Sequence, residues 1–221
     1  MKAKFLVYPM AVIGVSAICY SLVASIPESK ATDETASGAE LRVNMRRLWD
    51  DHVVWTRNVI FNIIDDLPGT DEAVQRLLKN QDHIGNAIKP YYGEEAGKSL
   101  TGLLHTHIQQ AADLLKAAKR DDNESFEKLN KMWMANADEI AMFLSKANPN
   151  LKLDDMKKMM QNHLTLTLNE ATARKKKDYA GDVVAFDKVD DEIIMMSDMI
   201  SMGIVKQFPE KFKNNPAIGK N

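Results

Sequence analysis

Three stretches of this chain repeat one pattern of apolar residues around a histidine, and that repeat restricts the fold more than any other feature. With His52, His107 and His163 set in register, Met45, Leu48, Trp49, Val53 and Thr56 match Leu100, Leu103, Leu104, Ile108 and Ala111. The third copy is Met156, Met159, Met160, Leu164 and Thr167. The histidines are spaced 55 and 56 residues apart, a period that marks a repeated supersecondary unit. The shared positions fall at −7, −4, −3, +1 and +4 from the histidine, which is one face of an α-helix. Each histidine therefore lies in the apolar stripe of its helix and should point into the core.

A fainter echo follows each first helix: Asp82-His83-Ile84, Asp138-Glu139-Ile140 and Asp191-Glu192-Ile193. It comes about 30 residues after the histidine, the length of one helix, a turn and part of a returning helix. The expected fold is all-α, a six-helix bundle of three tandem hairpins spanning about 40–89, 94–146 and 153–207. No stretch alternates apolar and polar residues for long enough to suggest a sheet. Whether the hairpins close around an axis or stack as an open solenoid is left open by the pattern.

The joints follow from breaker residues. Asp66-Leu67-Pro68-Gly69 ends the first helix and Thr70 is expected to cap the second. Lys89-Pro90-Tyr91-Tyr92-Gly93 closes the first hairpin, Asp121-Asp122-Asn123 turns the second, and Asn148-Pro149-Asn150 closes it. The third turn falls within Lys175–Asp182, where Gly181 is the sole breaker, and a longer bent helix is the alternative. The last helix stops at Gln207-Phe208-Pro209, the bundle domain covers 39–213, and the polar tail 214–221 frays.

Ahead of the bundle, Lys2 and Lys4 precede an uncharged run from Phe5 to Ile26. Residues 1–26 read as an export element, either an uncleaved membrane anchor or a removed signal peptide. In both cases the lysines stay inside and the rest of the chain faces outward, tethered to the membrane or secreted. Residues 27–38 are small, polar and patternless, the composition of a flexible tether. Cys19 is the sole cysteine, so the bundle can form neither a disulfide nor a thiolate metal site. A formal net charge of −2 argues against nucleic acid as a partner.

Four segments resemble a family of small bacterial all-helical proteins, some of them labelled glycosyltransferase: LWDDHVVWTR (48–57), QDHIGNAIKPYYG (81–93), WMANADEIAMFLSKANPN (133–150) and GIVKQFPEKF (203–212). The resemblance covers nearly all of residues 40–212 and implies a helical domain without supplying a mechanism. Nucleotide-sugar transfer needs a diphosphate site, and no strand, glycine-rich loop and helix occur in succession.

The three histidines admit three readings. If the hairpins close around an axis, His52, His107 and His163 can converge on a metal, with Zn²⁺ or Cu²⁺ the ions that suit neutral imidazoles. Glu170, Asp187 and Asp190 are then candidate further ligands or ring-orienting partners. Haem with two histidines as axial ligands is the second reading. In the third the histidines are structural, bonded within the core, with Thr56 and Thr167 one turn away as local partners. His83 and His105 fall outside the repeated phase and belong to the surface. Trp49, Trp55 and Trp133 read as core or rim anchors. Arg174-Lys175-Lys176-Lys177 is expected to be a solvated helix end, with anionic lipid headgroups as the alternative contact. With no Gly-x-Ser-x-Gly elbow, nucleophilic cysteine or phosphate loop, binding of a protein or small ligand is expected rather than catalysis; a metal-dependent enzyme is the alternative.

Overall fold

The structure, a computed structural model, describes residues 36–213. The expected anchor or signal, all but the last three residues of the expected tether, and the expected tail lie outside them. The described chain forms α1 (Ala36–Ile64), α2 (Thr70–Tyr92), α3 (Glu94–Lys119), α4 (Asn123–Ala147), α5 (Leu153–Lys175) and α6 (Tyr179–Gln207). A single 3₁₀ turn, Pro209–Phe212, follows. This is the six-helix bundle of three hairpins. Among the described residues no helix is long and apolar enough to cross a membrane.

The three hairpin turns are copies of one another. Asp66, Asp121 and Lys177 take left-handed backbone at φ 55°, 55° and 59°, each 14 residues beyond its hairpin's histidine. The next residue donates its N–H to a carbonyl five residues back: Leu67 to Asn62, Asp122 to Ala117 and Asp178 to Ala173. That is the Schellman closure of a helix C-terminus, made here without glycine at the left-handed position. The following helices start on Asp122, whose side chain accepts from Ser125 N–H, and Asp178, whose side chain accepts from Gly181 N–H. Gly181 is therefore inside α6, and the third turn is built by Lys177 and Asp178. In the first hairpin Gly69 (φ 86°), not Thr70, is the cap residue. Thr70 is the first helical residue, and its hydroxyl donates to Leu67 O.

Pro90 does not end α2, which continues to Tyr92. A proline one turn from a helix end deprives only the carbonyl four residues back, here that of Asn86, which is exposed and can be hydrated. Likewise α1 begins at Ala36, inside the expected tether, because extending a formed helix by one residue costs little.

Helices adjacent in sequence pack side by side, α1 closes on α6, and α1 also packs against α3 and α5. The bundle is closed rather than an open stack. Between α2 and α3 the backbones touch: a Cβ on Gly85 would stand 2.7 Å from Gly97 O, and a Cβ on Gly97 equally close to Gly85 O.

Both ends of the bundle are tied by polar side chains. At the inter-hairpin end Asn148 Nδ2 donates to Tyr92 Oη and Tyr92 O–H to Gln207 Oε1, at 2.9 Å each. At the turn end Arg57 donates to Glu170 (2.6 Å) and Asp182 (2.9 Å), while Arg174 bonds Asp182 and Asp65. Phe61 lies under both guanidinium groups. Lys175 bonds Ala118 O and the Asp121 carboxylate. Half of the basic run 174–177 thus fastens the turns, and only Lys176 and Lys177 are exposed.

Candidate ligand site at the imidazole centre

Closure of the bundle brings the three repeated histidines into its interior, where all three are buried. The His52 and His163 ring centroids stand 5.8 Å apart. His107 and His163 are both near enough to bear on the charge of His52. Trp49 meets His52 edge-on at 5.9 Å, and Trp133 lies over His107 at 5.2 Å.

Each ring meets a side chain of its returning helix at Nδ1. His52 Nδ1 meets Gln81 Nε2 at 3.1 Å, His107 Nδ1 meets Asn136 Oδ1 at 2.9 Å, and His163 Nδ1 meets Glu192 Oε2 at 3.1 Å. In all three hairpins the partner is 29 residues downstream, on the returning helix. Among the described residues no hydrogen bond reaches the three Nε2 atoms. Thr56 and Thr167 do lie one turn away, but their hydroxyls donate to the backbone carbonyls of His52 and His163 and not to the rings.

The Nδ1 partners fix the tautomers. Asn136 Nδ2 donates to Leu103 O, so its Oδ1 accepts from His107 Nδ1–H and leaves a lone pair on Nε2. The Glu192 carboxylate likewise accepts from His163 Nδ1–H. Gln81 is different. Its Nε2 faces His52 Nδ1, Leu77 O and Asn80 Oδ1, three acceptors for two hydrogens, while its Oε1 is buried with no partner. In this orientation His52 carries its proton on Nε2. Turning the Gln81 amide by half a revolution gives Oε1 to Nδ1–H and makes His52 match the other two.

Burial is the largest cause holding the His52 imidazole well below its ordinary value, with His163 and His107 adding to it. His107 is pushed down to about 3, chiefly by burial and then by His163, against the opposing hydrogen bond from Asn136. Both rings are therefore neutral at pH 7.

Four buried polar atoms on side chains touching these rings have no partner among the described residues: Trp49 Nε1, Trp133 Nε1, Gln81 Oε1 and Glu192 Oε1. Also among the described residues, no three His, Cys, Asp or Glu side chains are close enough together to hold a metal ion.

The acidic residues expected beside the histidines are elsewhere. Glu170 is buried against Arg57, and burial pushes its carboxyl up to about 7 despite that pairing. Asp187 is exposed. Asp190 is half-buried facing Asp50, its carboxyl raised first by burial and then by the Asp50 charge. Asp187 and Asp190 precede Glu192 on α6 by five and two residues, which puts them about 140° and 160° around the helix from it. His83 is exposed and His105 pairs with Asp82 at 2.9 Å near the surface.

The sequence pattern missed Gln81, Asn136 and Glu192 because their residue types differ. Their one common property is a side-chain carbonyl or carboxyl at a fixed offset from a repeated histidine. The aspartate echo is out of register with that offset, at 30, 31 and 28 residues. Comparison of the chain with protein-family models, with curated proteins and with solved structures finds no match.

Proposed function

We propose that this chain is a binding domain, that a transition-metal ion such as Zn²⁺ or Cu²⁺ is held at the centre formed by His52, His107 and His163, and that residues 1–26 present the domain on the outer face of a membrane. The observation that carries the metal reading is the support at Nδ1. A metal-ligating imidazole has its other nitrogen fixed by an amide, carbonyl or carboxylate, which sets the tautomer and aims the ring. His107 and His163 are fixed that way by Asn136 and Glu192, and His52 meets Gln81 at the same offset with the amide turned the other way.

Magnitude supports a polar guest. Of the four unpartnered buried polar atoms, the two oxygens, Gln81 Oε1 and Glu192 Oε1, cost on the order of 2–6 kcal/mol together against a domain stability of about 5–15 kcal/mol, whereas the two indole N–H groups are donors that no cation satisfies. The rings as they stand are too far apart for three to share one ion, so binding draws them inward and turns the Gln81 amide. His52 and His107, neutral at pH 7, need no deprotonation first, which favours a metal at neutral pH.

The test is elemental analysis of the full chain, purified in detergent without chelator or affinity tag, before and after incubation with Zn²⁺ and Cu²⁺. About one ion per chain, lost in His107→Ala, is expected. A wild-type chain that retains no metal after incubation refutes the reading and leaves the histidines a structural role.

A further inference from the structure

Between α1 and α2 an open cleft of about 420 Å³ is lined by Asn44, Arg47, Leu48, Asp51, Arg76 and His83. That volume is ordinary for a small-ligand site. Two arginines line it against one carboxylate, and the carboxylate is already engaged. Asp51 Oδ2 accepts from Arg76 Nη2 at 2.7 Å and from Asn80 Nδ2 at 3.2 Å. The Arg76 guanidinium carbon also stands 4.9 Å from the centre of the Trp55 ring. Its Nη1 is shielded from solvent and has no acceptor among the described residues. Arg47 and His83 are exposed, and neither has a partner among the described residues.

Packing of a hairpin does not require this cluster, as the repeat shows. Asn80 is 0% exposed and donates to Leu48 O at 2.9 Å as well as to Asp51, so it fixes the carboxylate that fixes Arg76. The equivalent position, 28 residues after the histidine, is exposed in the other two hairpins, where it holds Ala135 and Asp191. The position of Arg76 is likewise exposed there and holds Lys131 and Asp187. Of the three hairpins, the first alone supports a guanidinium group from within.

We propose that the α1–α2 cleft binds a small oxyanion, the phosphate or carboxylate group of a ligand, between Arg76 and Arg47. Arginine presents its N–H groups in a planar fork that matches the paired oxygens of either group. Arg76 is the fixed donor, and an oxygen seated against Nη1 gives that atom the acceptor it lacks. Arg47 contributes a whole unengaged fork from α1. The anion also offsets the positive charge left over once Asp51 has paired with Arg76. This site lies on the outside of the first hairpin and does not depend on the metal reading.

The experiment is a calorimetric titration of the full chain in detergent with inorganic phosphate and, separately, with succinate. It compares wild type, Arg47→Gln, Arg47→Lys and the control Lys131→Gln, the second hairpin's counterpart of Arg76. Wild type should take up one anion per chain, and whether phosphate or succinate binds more tightly tells which oxyanion the cleft serves. Arg47→Gln alters an exposed group without a partner, so the fold should stand while binding weakens about 10–100-fold. Arg47→Lys keeps the charge without the fork and should recover part of that loss; Lys131→Gln should change nothing. Binding of neither anion by wild type overturns the proposal, as does an affinity unaltered in Arg47→Gln. An equal loss in Lys131→Gln assigns the effect to general surface charge and overturns it as well.

Discussion

Acidification of the metal-free protein should destabilise it through His107, by an amount that can be worked from its surroundings. The ring is buried, and its pKa falls from 6.5 to about 3 on folding. The unfolded chain thus binds a proton that the folded chain refuses between those two values. Lowering pH through 6.5 therefore costs stability, and the loss continues until the folded ring itself titrates. At pH 5 the unfolded histidine is almost fully protonated and the folded one almost wholly neutral, a difference of about 2 kcal/mol relative to pH 7.5. That figure changes little so long as the folded value stays below about 4. His52 acts in the same direction. Glu170 acts oppositely: its carboxyl is raised to about 7 on folding, so the folded chain takes up a proton first and gains stability as pH falls below 7. The wild-type profile is a sum of opposed slopes, and the decisive measurement is a difference. His107→Asn places an amide donor where Nδ1 meets Asn136 Oδ1 and cannot titrate. Urea unfolding of both proteins at pH 7.5 and 5.0, with chelator present, should show the variant losing about 2 kcal/mol less than wild type over that interval. An equal loss in both refutes the neutral, desolvated state of His107.

Other substitutions test the packing and the charge cluster. Gly85→Ala should cost about 1–3 kcal/mol, because the new methyl meets the α3 backbone, whereas Gly102→Ala, open to solvent, should stabilise by about 0.5–1 kcal/mol; chemical denaturation of the pair separates close approach from helix propensity. Arg57→Gln leaves Glu170 without its guanidinium partner and should cost about 3–5 kcal/mol at pH 8, falling at pH 5 where Glu170 is protonated. A pH-independent loss would place the Arg57 contribution in its packing on Phe61 and Phe186.

Much of the fold was legible because the helices advertise themselves through apolar positions at −7, −4 and −3 from each histidine, and because loops carry Asp-Asp-Asn or Asn-Pro-Asn. The burial of His52, His107 and His163 followed from the same periodicity. What it hid were features in which chemistry is conserved across the repeats while residue identity is not. Gln81, Asn136 and Glu192 share an acceptor and nothing else. Asp66, Asp121 and Lys177 share a backbone conformation that their side chains do not announce, so the third turn could be placed only within Lys175–Asp182, where it falls, and not at Lys177 itself. Glu170 was misplaced for another reason. A face-repeat after His163 puts it on the correct side of α5, but two turns further along, where Arg57 meets it instead of the imidazoles.

Because α1 lies against α6, with Arg46 of the first bonded to Asp198 of the last, the start of the first helix and the end of the sixth are neighbours. A ring of three alike hairpins has no privileged point of entry. A short peptide joining residue 207 to residue 36, with a new opening at Gly93 or within 148–152, would leave every helix pair as it is and merely change which hairpin is made first.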